Sequence, residues 1–205
     1  MNDAAAALRG EISYGIGKGM ENAVIMILGT GIGTAVCLNG RYPQGSHGAF
    51  GMLGGHIAID MDGKPCTCPN QGCLEAYAGS WALPSIARKI KGFDHSGLAK
   101  EKVLNYQALA IWYKQQDVVV VELFKRITLA LSIGAVNLIH AYDPDCLIIS
   151  GGPSHFKALF PPIKRYIETH TWAPWGKPSL LISEHPEEST LLGLHAYLRE
   201  KINNV

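Results

Sequence analysis

Apolar residues recur with two different spacings along this chain, and the change divides it into a strand-rich first third and a helix-rich remainder. A continuous apolar run covers residues 23–28, whereas the helical period covers residues 118–140. The predicted strands are residues 23–28, 34–38, 57–60, 146–149 and 180–183. The predicted helices are residues 2–13, 74–77, 81–91, 97–107, 118–140, 156–170 and 190–202. Hairpin strands followed by strands that alternate with helices predict an α/β fold with a mixed sheet.

Turn residues separate these elements. Asn39-Gly40 is a hairpin signal, and Asp143-Pro144-Asp145 breaks the chain after the long helical stretch.

The chain has 205 residues, which fits one domain or one large lobe of a bigger protein. Hydrophobic residues make up 47%, enough to fill a sizeable core.

Charge and terminal sequence exclude some function classes. The formal net charge of +1 argues against a general nucleic-acid or membrane-surface binder. The first residues lack the basic start and apolar run of a signal peptide, and no stretch reaches the length of a membrane span. We therefore expect a cytoplasmic protein that makes no membrane contact.

Three of the five cysteines fall within eight positions, at Cys66, Cys68 and Cys73, and His56 lies ten residues upstream. Three thiolates and one imidazole complete a tetrahedral set for zinc with no position left for water, which is typical of a structural site. The thiols could instead be buried core residues or form a disulfide, although a bridge between residues two apart would be strained. Zinc is the favoured interpretation.

Glycine-rich segments follow two of the predicted strands. Gly29-Thr30-Gly31-Ile32-Gly33 lies between two strands, so it can be a loop whose amides face a phosphate or simply a tight hairpin. It does not fit a dinucleotide fold, which would need a helix next. Ser150-Gly151-Gly152 lies between a strand and a helix, where it can be a plain turn or can contact an adenine or ribose.

The first predicted helix begins with two polar residues that permit two interpretations. Asn2 or Asp3 can cap the helix. Alternatively, the Asp3 carboxylate can accept the proton of a sugar hydroxyl that attacks phosphorus, while Asn2 hydrogen-bonds to neighbouring hydroxyls.

Taken together, these segments resemble the ROK family of sugar kinases and sugar-responsive repressors. The segment that begins Asn2-Asp3-Ala4-Ala5 is similar to the family's helix with the catalytic aspartate, and the glycines from Gly29 to Gly33 are similar to its second phosphate loop. Gly55-His56 and the run from Cys66 to Glu75 are similar to its zinc signature. Ser150-Gly151-Gly152 is similar to its adenosine loop.

The resemblance implies an actin-like ATPase (ribonuclease H-like) fold of two lobes and transfer of the γ-phosphoryl of ATP, with Mg²⁺, to a hexose-like sugar. It implies Asp3 as the base and Asn2, His56 and Glu75 as sugar contacts. It also implies nucleotide contacts from Gly29, Thr30, Gly31, Gly33, Gly151 and Gly152, and a structural zinc on His56, Cys66, Cys68 and Cys73. Members of the family often form dimers, so we expect a homodimer.

Departures from the family pattern affect the activity that we expect. The family's first lobe, with its Asp-x-Gly-Gly-Thr loop, is not found in these residues, so we expect residues 1–205 to correspond to the C-terminal lobe and to show little kinase activity alone. The glutamate expected before Gly55-His56 is replaced by Leu53 or Met52. Ala5 stands where asparagine is usual, and Pro69 replaces a glycine.

Three functional hypotheses follow. The chain can be the lobe of a sugar kinase, which the retained Asn2-Asp3 favours, or the sugar-sensing lobe of a ROK repressor, which the missing glutamate favours. A purely structural zinc module is the third. Since no basic recognition helix occurs in these residues, we expect no direct contact with nucleic acid.

Overall fold

The structure, a computed structural model, describes residues 2–203. The strands are β1 (Ala23–Leu28), β2 (Ile32–Cys37), β3 (Cys146–Ser150) and β4 (Ser179–Ile182). The helices are α1 (Asp3–Ser13), α2 (Glu75–Ala78), α3 (Leu83–Ala87), α4 (Tyr106–Lys114), α5 (Val118–Tyr142), α6 (Phe160–His170) and α7 (Ser189–Asn203). Within the described range, no helix is both long and apolar enough to cross a bilayer.

The strands form one mixed sheet in the order β2-β1-β3-β4. β1 pairs antiparallel with β2, so that Ala23 faces Cys37, and parallel with β3, so that Ala23 faces Cys146. β3 pairs parallel with β4. The carboxyl ends of β1 and β3 therefore lie side by side, and the two glycine segments start at the same edge of the sheet.

Alternation along β1 divides the core between the two faces of the sheet. Val24, Met26 and Leu28 belong to the larger cluster, which includes the buried face of α5, whereas Ala23 and Ile25 belong to a smaller cluster with α1. Helix α5 is long because it is apolar along most of its length. It ends where Asp143 adopts a left-handed conformation with φ of 46°.

Helix α7 forms a further layer outside α1, and the two helices cross with their backbones in close contact. A Cβ at Gly193 would lie 1.7 Å from the carbonyl oxygen of Ala6, and a Cβ at Gly10 would lie 2.0 Å from that of Ser189. The buried Glu11 carboxylate accepts hydrogen bonds from Ser183 and Ser189, which joins α1 to the start of α7.

Three of the predicted elements are wrong in extent. Residues 57–60 form one bridge, Ala58 to Cys73, and no strand, because the chain turns away at Asp60. Residues 97–107 are not one helix: a 3-10 turn at Gly97–Lys100 ends before Asn105 caps α4. The helix predicted over 81–91 is limited to α3, with Pro84 in its first turn. The other predicted helices and strands are present, with ends displaced by a few residues.

Candidate active site and metal centre

The predicted zinc ligands converge in space. The ligand atoms of His56, Cys66, Cys68 and Cys73 all lie within 4.8 Å of one another. Cys68 Sγ is 3.7 Å from Cys73 Sγ, and Cys66 Sγ is 3.6 Å from His56 Nδ1. Tetrahedral zinc with its usual bond lengths would hold two sulfurs about 3.8 Å apart and a sulfur and a nitrogen about 3.6 Å apart. The donor set therefore fits zinc in chemistry and in spacing.

Electrostatics within the cluster also favour a cation. Burial opposes ionisation of Cys66, but hydrogen bonds from the Cys68 backbone, His56 and the other thiols stabilise its thiolate and lower its pKa to about 7. Burial, together with hydrogen bonds to Cys66 and Cys68, raises the pKa of Cys73 to about 12. A bound cation would offset the repulsion that keeps three neighbouring thiols from ionising together.

The loop that carries the cysteines is closed by backbone hydrogen bonds. The Cys66 N–H donates to the Asn70 carbonyl at 3.0 Å, and the Gly72 N–H donates to that of Lys64 at 2.8 Å. Gly72 is required because its φ is +73° and an added Cβ would lie 1.8 Å from the Asp60 carbonyl oxygen. The Leu74 N–H then donates to the Ile57 carbonyl, which fixes the position of the next residue, Glu75.

Glu75 begins α2 and connects the cysteine loop to the glycine loop. Its Oε2 accepts a hydrogen bond from the Ile32 N–H at 2.8 Å. Its Oε1 accepts one from Trp81 Nε1 at 3.1 Å and one from the Thr67 hydroxyl at 3.4 Å. Sequence reasoning missed Thr67 and Trp81, because nothing in the spacing of a lone threonine or tryptophan indicates such a partner.

The glycine loop leaves β1 and enters β2 directly in front of this carboxylate. A Cβ at Gly31 would lie 2.3 Å from Glu75 Oε2, so glycine is needed there for close approach. Gly29, Gly31 and Gly33 do not have positive φ values, so the backbone conformation does not require glycine at these positions. The loop is also held by the Ser80 and Trp81 N–H groups, which donate to the carbonyls of Gly29 and Thr30.

Asp3 faces the same glycine loop from the start of α1. Asp3, Gly29, Thr30, Gly31, Gly33 and Glu75 line one cavity of about 410 Å³. Asp3 Oδ1 accepts a hydrogen bond from the Ala4 N–H, and the Asn2 side chain caps the helix by accepting from the Ala5 N–H at 2.8 Å. The capping interpretation is thus confirmed for Asn2, while the exposed Asp3 carboxylate also opens on the cavity. His56 does not line this cavity; it lies in the metal cluster.

The second glycine segment borders a larger cavity of about 800 Å³. Gly151 has φ of +89°, and a Cβ there would lie 2.1 Å from the Leu28 carbonyl oxygen, so it packs against the end of β1. A Cβ at Gly152 would meet nothing within 4 Å, which leaves its backbone open to the cavity. Tyr113 and Phe156, whose rings pack 5.4 Å apart, supply an apolar wall, and Lys114 and Lys157 also line the cavity.

The two cavities adjoin at the carboxyl edge of the sheet. Ser80 lines the larger cavity, while its N–H binds the Gly29 carbonyl in the smaller one. Ligands of open α/β sheets bind in the crevice outside the carboxyl ends of the strands. The larger cavity, the two glycine segments and the smaller cavity with two carboxylates thus lie together at this edge of the sheet, where a ligand could bind.

Comparisons with known proteins identify the family to which this chain belongs. The model described as "ROK family" matches residues 1–201, and the chain belongs to that family. Glucokinase of Thermotoga maritima is 30% identical over 209 residues, an alignment that covers 98% of this chain and 65% of that protein. The xylose repressor of Bacillus subtilis is 31% identical over 148 residues, which cover 72% of this chain and 36% of that protein.

A solved structure gives the same result. The ROK family glucokinase from Streptomyces griseus, in complex with glucose and AMPPNP, superimposes with a TM-score of 0.81 at 26% identity, covering 94% of this chain and 65% of that one. The resemblance to the ROK family and the actin-like α/β fold expected from it are therefore confirmed. The chain spans less than two thirds of the length of these relatives.

Proposed function

We propose that this chain is the C-terminal, sugar- and nucleotide-binding lobe of an ATP-dependent kinase of hexose-like sugars. The observation that carries the proposal is the cavity in which Asp3 and Glu75 face the glycine loop between β1 and β2. A carboxylate, backbone amides and a second acceptor around one cavity are the groups that phosphoryl transfer to a hydroxyl requires. Both glucokinase relatives described above support a kinase at the level of the family.

Each residue has a defined part in the proposed reaction. The sugar hydroxyl oxygen forms a bond to the γ-phosphorus as the bond to the β–γ bridging oxygen breaks, ADP leaves, and the hydroxyl proton passes to Asp3. Glu75 lines the cavity and would hold another sugar hydroxyl. The sugar contacts of Asn2 and His56 rest on the resemblance alone, since Asn2 caps α1, His56 lies in the metal cluster and neither lines the cavity. The loop of Gly29, Thr30, Gly31 and Gly33 would hold the phosphates, whose charge Mg²⁺ would help to neutralise. The Gly29 N–H is not available for this, because it donates to the Gly31 carbonyl at 3.0 Å.

We place the nucleoside of ATP in the larger cavity, against Gly151 and Gly152. The wall of Tyr113 and Phe156 suits the flat face of a base. Zinc on His56, Cys66, Cys68 and Cys73 would have a structural part, since four protein ligands leave no open position. It would fix the cysteine loop, and the loop fixes Glu75 through Thr67 and Leu74.

A chimera provides the test of the base. This chain would replace the matching part of the Thermotoga maritima glucokinase, and phosphorylation would be measured over a panel of hexoses with ATP. We expect turnover, and Asp3→Asn should lower kcat by about 10² to 10⁴-fold because proton acceptance is lost. The exposed Asp94→Asn variant serves as the control. Unchanged kcat in Asp3→Asn would contradict the role of Asp3.

The chain alone should show little turnover, because half of the phosphate contacts and part of the sugar wall are expected on the other lobe. Turnover by residues 1–205 at the rate of the chimera would contradict that expectation.

A sugar sensor of the repressor type is the second candidate. It is favoured by the similarity to the xylose repressor and by the segment from Phe50 to His56, which contains no carboxylate and leaves the Leu53 side chain in solvent. A chimera that binds a sugar in calorimetry but transfers no phosphoryl group to any hexose would favour the sensor over the kinase.

A further inference from the structure

A third cavity, of about 340 Å³, lies at the carboxyl end of α1, away from Asp3 at the other end of that helix. Its lining comes from the end of α1 and the turn that follows, and from the start of α7 and the segment before it. It shares no lining residue with the Asp3 cavity or with the larger cavity beside Gly152. Any ligand that it holds would therefore be separate from the sugar and the nucleotide proposed above.

One wall of this cavity carries the buried carboxylate of Glu11, which is only 3% exposed. Its Oε1 accepts hydrogen bonds from the hydroxyls of Ser183 and Ser189, and its Oε2 accepts one from the Ile16 N–H at 3.2 Å. All three donors are neutral, and none of the ion pairs in the described part of the chain includes Glu11. Because an ionised carboxylate is costly to bury without an opposite charge, a cation beside Glu11 would be stabilising.

The glycine at position 15 leaves space beside this carboxylate. Gly15 also lines the cavity, and a Cβ there would lie 2.2 Å from Glu11 Oε2. Each oxygen of a carboxylate can accept about two hydrogen bonds, and Oε2 receives one, from the Ile16 N–H. Oε2 therefore keeps an acceptor position for the N–H group of a ligand.

The charges around the cavity select a cation. Glu184, which is exposed, supplies a second carboxylate. Among residues 2–203, no lysine or arginine lines the cavity, and His185 is the only lining group that could become positive. With His185 neutral, the lining carries two negative charges and no positive one. The field inside the cavity therefore attracts a cation and repels an anion.

Size and apolar lining favour an organic cation over a metal ion. A volume of about 340 Å³ holds a molecule of several heavy atoms, since small-molecule sites occupy about 300–1,000 Å³. Tyr14, Ile16 and Leu192 add apolar surface to the lining. A hard metal ion is held by oxygen ligands, whereas an alkylammonium ion would place its charge at the carboxylates and its carbons against these side chains. Aromatic rings such as that of Tyr14 also attract ammonium groups.

We propose that this cavity binds a small organic ammonium ion, and that a short aliphatic diamine is the best-matched class. One ammonium group would donate to Glu11 at the buried wall, and the other would donate to the exposed Glu184. Hydrogen bonds between ammonium and carboxylate groups are charge-assisted, so one at each end would fix the orientation of the ligand. Alkylammonium groups, like the lysine side chain, are charged at neutral pH. The proposal does not depend on the proposed kinase activity.

An NMR titration of the isotope-labelled chain tests the site. The probe is diaminobutane, a four-carbon diamine with an amino group at each end, and butanediol, with hydroxyls in their place, is the uncharged control. We expect diaminobutane to shift the backbone amide signals of Gly15 and Ile16 with a Kd in the millimolar range. At the same concentration and ionic strength, butanediol should leave these signals in place. Equal shifts with the two probes would overturn the proposal.

Carboxylate variants test the residues that bind the diamine. Glu11→Gln should raise the Kd at least about tenfold, because it removes a buried charge-assisted hydrogen bond, and Glu184→Gln at least about threefold, since its charge is exposed. Glu188→Gln changes an exposed carboxylate that does not line the cavity, so it is the matched control and should leave the Kd unchanged. Melting curves check that each variant is folded. If Glu11→Gln does not fold, the other two variants decide, and equal Kd values for them would overturn the proposal.

Potassium chloride and magnesium chloride distinguish a metal site from an amine site. If K⁺ or Mg²⁺ shifts the Gly15 and Ile16 signals at lower concentrations than diaminobutane does, the cavity is a metal site and the proposal is overturned. Saturation-transfer NMR with the glucokinase chimera extends the test to a longer protein, and we expect diaminobutane to bind there as well. Binding by the chain but not by the chimera would also overturn the proposal, because a further lobe would then cover the cavity.

Discussion

Glu75 is the residue on which the candidate site depends most. A single carboxylate accepts hydrogen bonds from the glycine loop through Ile32, from the cysteine loop through Thr67, and from Trp81. It is 9% exposed, so these donors have little water to replace it. Because a carboxylate accepts at both oxygens and donates at neither, it is suited to three converging donors.

Replacing this carboxylate by its amide should be costly. Glu75→Gln keeps the shape but turns an NH₂ group toward a donor, and we expect a loss of about 1–3 kcal/mol in the free energy of unfolding. Urea denaturation measures the change, and Glu188→Gln, at an exposed position just before α7, is the matched control. Equal stability of the two variants would contradict the bonding described for Glu75.

Metal content tests the cysteine cluster. Protein purified without chelator should contain about one zinc per chain, and Cys68→Ser should reduce this to near zero. Removal of the metal should lower the melting temperature by several degrees, because a structural zinc contributes to folding. Zinc is measured by mass spectrometry.

The control for the metal experiment is Cys146→Ala. Cys146 is a buried thiol in β3, outside the cluster, and its removal should leave the zinc content unchanged. A metal-free chain that melts at the same temperature as the metal-bound chain would remove the structural role.

Helix α5 begins at an N-cap residue, Asp117, whose contribution to stability should depend on pH. Asp117 Oδ1 accepts hydrogen bonds from the Val119 and Val120 N–H groups, and the carboxylate also binds Ser96 and Gly97. Burial opposes ionisation, but these hydrogen bonds outweigh it and hold the pKa of Asp117 below its ordinary value of 3.8.

A depressed pKa in the folded state means that the cap stabilises the protein above the unfolded pKa, near 3.9, and that this contribution is lost as pH falls through the folded pKa. At pH 7, Asp117→Ala should cost about 1–2 kcal/mol. The difference from wild type should shrink steadily below about pH 4. Denaturant titrations at several pH values measure it, and a difference that does not change with pH would contradict the assignment.

The close crossing of α1 and α7 should make the protein sensitive to any side chain added at the crossing point. Gly193→Ala would place a methyl group 1.7 Å from the Ala6 carbonyl oxygen, and backbone cannot yield as a side chain does. We expect a cost of about 1–3 kcal/mol, or about 2–12 °C in melting temperature. A Cβ at Gly134 in α5 would first meet the end of the Leu74 side chain, at 2.4 Å, and a side chain can shift more than backbone, so Gly134→Ala should cost less. A larger loss of stability in Gly134→Ala than in Gly193→Ala would contradict the close crossing of α1 and α7.

Sequence periodicity predicted most elements but not those whose ends are set by distant contacts. Strand β1 and helix α5 follow from apolar runs, which local spacing reveals. The helix predicted over 97–107 fails because Gly97 packs under the Trp112 ring, where a Cβ would lie 2.1 Å from it, and because Asp117 binds its N–H. Such contacts join residues 15 or more positions apart, beyond the reach of a periodic pattern.

At the scale of the whole molecule, the parallel pairing of β1 and β3 is what assembles the site. Because both strands end at one edge, Gly29 and Gly151 become neighbours although they are more than 120 residues apart in sequence. The sequence indicated each glycine segment and the metal ligands as separate motifs. It did not indicate Tyr113, Phe156 or Ser80, since aromatic and serine residues in helices and turns are usually structural.

The joined cavities predict nucleotide binding by the chain alone. AMPPNP at ten times its Kd should add about 1.4 kcal/mol of stability, or about 4 °C in melting temperature. Gly152→Leu should abolish this shift, because its side chain would enter the cavity without clash and occupy the space of the ligand. A thermal shift assay compares the two, and an equal shift in the variant would contradict the location of the nucleotide.

The contact between Gly10 and Gly193 has a mechanical consequence. Asp3 stands seven residues before Gly10 on the same rigid helix, about 10 Å away along its axis. Where two helices touch through main-chain atoms, no compressible side chain lies between them to absorb a displacement, so they shift as one body. A displacement of α7 would therefore also displace α1, and with it the Asp3 carboxylate that lines the smaller cavity.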